Sequence, residues 1–302
     1  MKKPNFIIMG FPKCGSTALH YYLEAHPEIY MPNQKELHYF TQPNISTLNQ
    51  GEGDLAAKES QIKTRIEYFN LYKGVKGEKA IGETSPSYIN YPESFKNINK
   101  LLSNPKVIII LRDPVKRAYS NYLHLLREQR ETKTFSQALE LEDKRKEKNY
   151  SDFWYYKFNS FYYDKINKAK ESFTDVLILT QEELNKNTKK TIAKTYRFLQ
   201  VNDDFTPANF NNKYNKGGLY KKNLITSFVF RQGKIKTLIK KAVNVTPWMK
   251  SIKNKIISKY QYNPDPIELN LQKKLIKLFK KDVLKITEMG VDTSLWNDNF
   301  FK

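Results

Sequence analysis

FIIMGFPKCGST (6–17) starts as a short apolar run and ends in a turn framed by glycines. The run FIIMGF has the length and composition of a buried parallel strand. Behind it comes G-x-x-x-x-G, then Ser16 and Thr17, then a helical pattern over residues 16–25. A strand that ends in such a turn and restarts as a helix exposes backbone N–H groups at the helix's positive end, which attracts an anion. Ser16 and Thr17 can add hydroxyl donors or cap the helix. Lys13 sits inside the loop, whereas a nucleoside-triphosphate loop puts its lysine where Ser16 stands. An ordinary capped strand–helix turn would look the same in isolation.

Outward from this stretch, VIIILR (107–112), VLILT (176–180) and the shorter KAIGE (79–83) read as further buried strands. Helical patterns follow at 114–130 and 182–199. This alternation predicts an α/β fold with a parallel sheet covered by helices. The chain length of 302 residues suits a single domain spanning 1–302. Residues 41–60, polar with Pro43, Gly51 and Gly53, read as a surface loop insertion. Residues 203–223 read as a second extended loop. The basic stretch 233–260, divided by Pro247, has the pattern of two amphipathic helices. Packing on the core is favoured for it, with peripheral membrane contact left open.

The net charge of +21 favours anionic partners. Cys14 is the sole cysteine, so no intrachain disulfide exists. His20, His26, His38 and His124 lack metal-site spacing, and no metal is expected. No stretch approaches the ~18 apolar residues of a membrane span, and the N-terminus is a poor signal peptide. A cytoplasmic location is expected.

A second anion signal lies in VIIILRDPVKRAYSNY (107–122). Arg112 closes a strand, Asp113 suits a helix N-cap, and Pro114 suits the first helical position. Ser120 follows about two turns on. Arginine mounted this way can grip a phosphate bidentately with a hydroxyl beside it. Taken alone, the pattern favours a structural ion pair of Arg112 with Glu83 or Asp113. The strands end in Arg112 and Thr180, not in a magnesium-binding aspartate, which argues against a Mg²⁺-dependent kinase.

PKCGSTAL and LRDPVKRAYSNY together resemble the sulfotransferases that use 3′-phosphoadenosine 5′-phosphosulfate (PAPS). KELHYF (35–40), GETSPSYI (82–89) and VLILTQEEL with TYRFLQV are similar to the Golgi heparan-sulfate type and its bacterial relatives, in order and spacing over about residues 4–201. The resemblance implies a P-loop-like three-layer fold with a central parallel sheet flanked by helices. It implies that Lys13, Cys14, Gly15, Ser16, Thr17 and Ala18 hold the 5′-phosphosulfate. Arg112 and Ser120 would hold the 3′-phosphate, and Lys13 would also assist the leaving group. It implies transfer of a sulfuryl group to a hydroxyl or amino group, with a glycan the expected acceptor, and a bacterial enzyme. A lysine closing over the nucleotide would come from YNKGGLYKK (214–222), as Lys216, Lys221 or Lys222.

Glu36 and His38 are the candidates for the base that takes the acceptor's proton. If the stretch is extended both share a face; if helical, only one can point into the site. The resemblance favours Glu36. Two other classes compete. A P-loop kinase would need the missing lysine and magnesium aspartate. A nucleic-acid-binding protein would explain the charge, but the lysines are dispersed and no such motif is present.

Overall fold

The computed structural model describes residues 2–55, 61–208, 210, 218–221 and 260–302. Five strands form one parallel sheet: β1 (Phe6–Gly10), β2 (Ile29–Tyr30), β3 (Ala80–Thr84), β4 (Lys106–Leu111) and β5 (Val176–Thr180). Their order is β2-β3-β1-β4-β5. β1, β3 and all of β4 but Lys106 are buried, as expected of Ile- and Val-rich strands covered on both faces. The helices of eight residues or more among the described residues are α1 (Ser16–Glu24), α2 (Phe95–Leu102), α3 (Pro114–Arg127), α4 (Tyr163–Ser172), α5 (Thr188–Leu199) and α6 (Leu269–Glu288). The expected α/β architecture is therefore present, with the P-loop-like central sheet flanked by helices.

The strand order locates the site. From β1 the chain runs to the β2 and β3 side, then returns to β4 on the other flank. Ligands of such open sheets bind beyond the carboxyl ends of the strands where the winding reverses. Here that is the crevice past Gly10 and Leu111. Register does the rest. Gly10 pairs with Ile110, so the residues just after each strand, Lys13 and Arg112, emerge at one end of the sheet. Gly10 has φ +144°, and a Cβ would stand 3.0 Å from the Ile110 carbonyl oxygen. Only glycine allows the loop to leave the sheet at that point.

Asp113 caps α3 as expected: its Oδ1 accepts from the Val115 and Lys116 N–H groups at 2.9 and 3.0 Å. Its Oδ2 accepts from Asn297 N–H at 3.1 Å, and Trp296 Nε1 donates to Glu182 at 3.1 Å. The end of the chain thus clamps the turn that bears Arg112. α6 buries Phe279, Val283 and Ile286, while its Asp282 accepts from the Tyr162 and Tyr163 N–H groups.

Several expectations change. The helix expected over 182–199 is two helices, Gln181–Lys186 and α5, separated at Asn187. Asn187 has φ −128°, and no local pattern announced the break. The loop near 41–60 is described to Leu55, and Asp54 anchors it to the rest of the fold. Asp54 is buried and accepts from Gly51 N–H, Ser151 N–H and Oγ, Trp154 Nε1 and Arg130. The basic segment near 233–260 lies outside the described residues apart from Tyr260. β6 (Leu219–Tyr220) and β7 (Gln261–Tyr262) form a small antiparallel ribbon against α3.

Candidate active site

The loop 11–15 is built on left-handed backbone. Lys13 has φ 73° and Gly15 φ 101°. Ser16 and Thr17 do not cap α1: its N-cap is Gly15, and no side chain accepts from its first turn. Among the described residues, no protein acceptor meets the N–H groups of Ser16 and Thr17. Such groups need a partner, and an anion supplies one. A side chain on Gly15 would press to 3.2 Å from Gln181. The residues present therefore fit an anionic group seated at this turn.

The two sequence motifs meet. Arg112 Nη1 donates to the Lys13 carbonyl at 3.3 Å. Arg112 pairs with neither Glu83 nor Asp113. Glu83 is occupied by hydroxyls, and Asp113 caps α3. Tyr162 Oη donates to the Arg112 carbonyl at 2.8 Å, fixing the strand end. Beneath the loop lies Arg117, fully buried, which sequence reading missed. Its Nη1 donates to Pro12 O at 3.2 Å and Asn121 Oδ1 at 3.0 Å; Nε donates to Ser160 and Nη2 to Tyr156 O. One guanidinium thus ties loop, helix α3 and the 156–160 segment together without a carboxylate partner. Its pKa is lowered, mainly by burial.

Lys13 is strongly perturbed. Burial, with Arg127 and then Arg112 nearby, lowers its pKa to about 8, against the opposing pull of Glu36 and Glu128. Its Nζ lies 3.5 Å from His124 Nδ1, and Arg127 Nη2 lies 2.7 Å from the same nitrogen. Both partners are cationic donors, so Nδ1 is the acceptor and the proton sits on Nε2, 3.3 Å from Glu128. Burial and Lys13 hold His124 neutral, with its pKa down at about 2. His124, Arg127 and Glu128 were not expected from sequence. The signal was available: His124 stands four residues after Ser120, so both lie on one face of α3. Ser120 itself is half-buried on that helix.

Cys14 is buried, and burial pushes its thiol up to about 12. Ala18 lies in the first turn of α1, its N–H closing onto Gly15 O at 3.0 Å. Thr17 accepts a hydrogen bond from Lys35 Nζ at 3.1 Å. Lys35 also lies 4.9 Å from the Tyr21 ring.

The segment carrying Glu36 and His38 is neither helix nor strand. Glu36 has φ 56° and His38 φ 55°, with buried Leu37 between them. Glu36 is exposed and close enough to Lys13 to favour its charged form. His38 turns away and shares a hydrogen bond of 2.7 Å with Ser87. Burial lowers its pKa. Of the candidate closing lysines, Lys216 and Lys222 lie outside the described residues, and Lys221 is exposed beside the ribbon. No cluster of His, Cys, Asp or Glu suited to a metal is found among the described residues.

The profile of the Sulfotransferase family matches residues 4–206, more than half of the chain. A membrane-associated sulfotransferase of Dictyostelium discoideum is 36% identical over 119 residues, 39% of this chain. Human carbohydrate sulfotransferase 15 is 28% identical over 153 residues, 40% of this chain. These matches span only 22% and 27% of the two relatives' own length. Among solved structures, a sulfotransferase from Alicyclobacillus acidocaldarius superposes with a TM-score of 0.77 at 28% identity, covering 98% of this chain and 99% of that one. With a turn built for an anion, a second cationic strand end joined to it, and a family profile that runs through both, the chain belongs to the sulfotransferase family.

Proposed function

We propose that this sulfotransferase takes its sulfuryl group from PAPS and delivers it to a hydroxyl or amine of a carbohydrate. The observation that carries this reading is the meeting of the two anion motifs, with Arg112 bonded to the Lys13 carbonyl. A donor with phosphates at both ends of a nucleoside needs two such grips. The loop residues Lys13 to Ala18 would hold the phosphosulfate end. Arg112, with Ser120 on the adjoining helix, would hold the 3′-phosphate.

In the transfer, an acceptor oxygen or nitrogen bonds to sulfur as the sulfur–oxygen bond to the 5′-phosphate breaks. The electron pair passes to the bridging oxygen. Lys13 stabilises the charge that gathers there. Glu36 receives the acceptor's proton. Its exposure at the crevice and its pull on Lys13 support that role over His38, which is bonded to Ser87. The carbohydrate acceptor rests on the names of the relatives and on the +21 charge, which would draw an acidic polymer to the crevice. A cytoplasmic, bacterial setting belongs to the same proposal, and cell fractionation checks it.

The test is transfer of labelled sulfate from PAPS to a panel of heparosan-like polymers, neutral sugars, lipid-linked sugars, phenols and small amines. Sulfation of sugars is expected. Sulfation of phenols alone would remove the carbohydrate assignment. Mg²⁺-dependent turnover of ATP with no sulfate transfer would revive the kinase reading.

A further inference from the structure

The strap from Lys35 to His38 is held in an unusual shape by contacts from three separate segments. Two non-glycine residues, Glu36 and His38, occupy the left-handed region on either side of Leu37. Each such residue costs free energy and persists only where its surroundings over-determine it. The Glu36 N–H donates to the Thr84 carbonyl at 2.7 Å. The Leu37 N–H donates to the Ser85 hydroxyl oxygen at 3.1 Å, and Leu37 O accepts from Ile62 N–H at 3.0 Å. The Leu37 side chain is buried in the core.

Ser85 stands at the centre of these holds. Its own N–H donates to Ile8 O of β1 at 3.0 Å, which joins it to the strand feeding the phosphate loop. Its hydroxyl has one proton, and that proton goes to Glu83 Oε1 at 2.8 Å. The oxygen is thereby turned to accept from Leu37. Glu83 is fully buried, and Tyr68 donates to its other oxygen. We propose that Ser85, oriented by the buried Glu83, is a positioning residue that sets where the Glu36 carboxylate stands relative to Lys13.

This rests on the reading of Glu36 as the base. A hydroxyl that merely satisfied Leu37 would affect stability alone. A hydroxyl that positions Glu36 affects turnover, because a base displaced by about an ångström loses much of its effect. It does so without changing how the nucleotide is held.

The experiment is a double-mutant cycle on Ser85 and Glu36, with kcat and calorimetric affinity for adenosine 3′,5′-bisphosphate measured for each variant. Ser85→Ala is expected to lower kcat by about 10- to 100-fold. Its affinity for the bisphosphate should stay within about twofold of the starting protein, since the lost interaction acts only on turnover. In the Glu36→Gln background the same change should alter kcat by less than about twofold, the signature of two residues acting as one unit. Additive effects, or an unchanged kcat in Ser85→Ala, would overturn the positioning role while leaving Glu36 as base. A near-normal kcat in Glu36→Gln would remove the base itself, and the positioning role with it. If Ser85→Ala does not fold, Ser85→Cys takes its place in the cycle, since it keeps the size and weakens both bonds.

Discussion

The phosphate loop and the Glu36 strap are neighbours, Glu36 acting on Lys13 and Lys35 bonded to Thr17, and they are held by different means. Both depend on left-handed residues: Gly10, Lys13 and Gly15 in the loop, Glu36 and His38 in the strap. The loop is tied down by cations, with Arg117 beneath it and Arg112 beside it. The backbone on either side of the Glu36 carboxylate is tied down by neutral groups, the Thr84 carbonyl and the Ser85 hydroxyl, while Lys35 at the start of the strap reaches away to Thr17. Charge serves the side that receives an anion, because the guanidinium groups of Arg117 and Arg112 add to the field there. On the opposite side a guanidinium bonded to the Glu36 carboxylate would compete for its basic oxygen. Neutral anchors fix that carboxylate's place without quenching it.

The largest expected effect tests the strap. Glu36→Gln keeps the size and removes the basic oxygen, so kcat should fall by about 10²- to 10⁴-fold while affinity for the bisphosphate holds. If His38→Gln were the dead variant and Glu36→Gln the active one, the roles of the two residues would be exchanged.

The next tests the loop. Lys13→Ala should lower kcat by ~10²-fold with a smaller change in nucleotide affinity, since charge reaches the bridging oxygen only in the transition state. Lys13 is cationic below its pKa of about 8. The profile of kcat/KM should therefore fall as pH rises through about 8, and Lys13→Arg should move that limb upward. A limb left in place by the arginine would assign it to another group. Activity should also survive EDTA. Loss that Mg²⁺ restored would break the metal-free mechanism.

Arg112→Ala sharpens the contrast from the binding side. Loss of a charge-assisted contact should weaken the bisphosphate by about one to two orders of magnitude, with little change for AMP, which lacks the 3′-phosphate. Equal weakening for both nucleotides would make Arg112 a support of the loop only.

The smallest effect concerns the link between the two regions. His20 on α1 meets Thr84 Oγ1 at 2.9 Å, and the Thr84 carbonyl holds Glu36. Burial, then Lys35, lowers the His20 pKa from 6.5 to about 4. The unfolded chain therefore takes up this proton first as pH falls. Stability present above pH 6.5 is lost on the way down to about pH 4. The slope from this group is at most ~1.4 kcal/mol per pH unit. His38 and His124 titrate in the same sense. His20→Gln should flatten urea-derived stability by one proton's share, and an unchanged slope would exclude His20.

The loop side was legible from sequence because local rules govern it. Apolar runs became strands within a residue or so, Asp113 capped α3, and the pairing of β1 with β4 brought Lys13 to Arg112. The strap was not legible. Extended and helical readings of KELHYF both failed, since its shape is imposed by Thr84, Ser85 and Leu37's burial, all settled by tertiary contacts. The same is true of Asp54, whose polar sequence neighbourhood read as a loop while its carboxylate is buried among donors from residues near 150. β2, two residues long, carried too little pattern to be seen.

Cys14 gives the loop a clock of its own. The chain has one thiol, and it is sealed in the turn where the anion would sit, with burial holding it protonated up to about 12. A thiol so placed reacts with maleimide or an aromatic disulfide only when the turn opens, because the thiolate is the nucleophile. Labelling of the native protein thus counts openings of this one turn, with no other cysteine to blur the signal. A nucleotide seated there should slow the labelling in proportion to its occupancy.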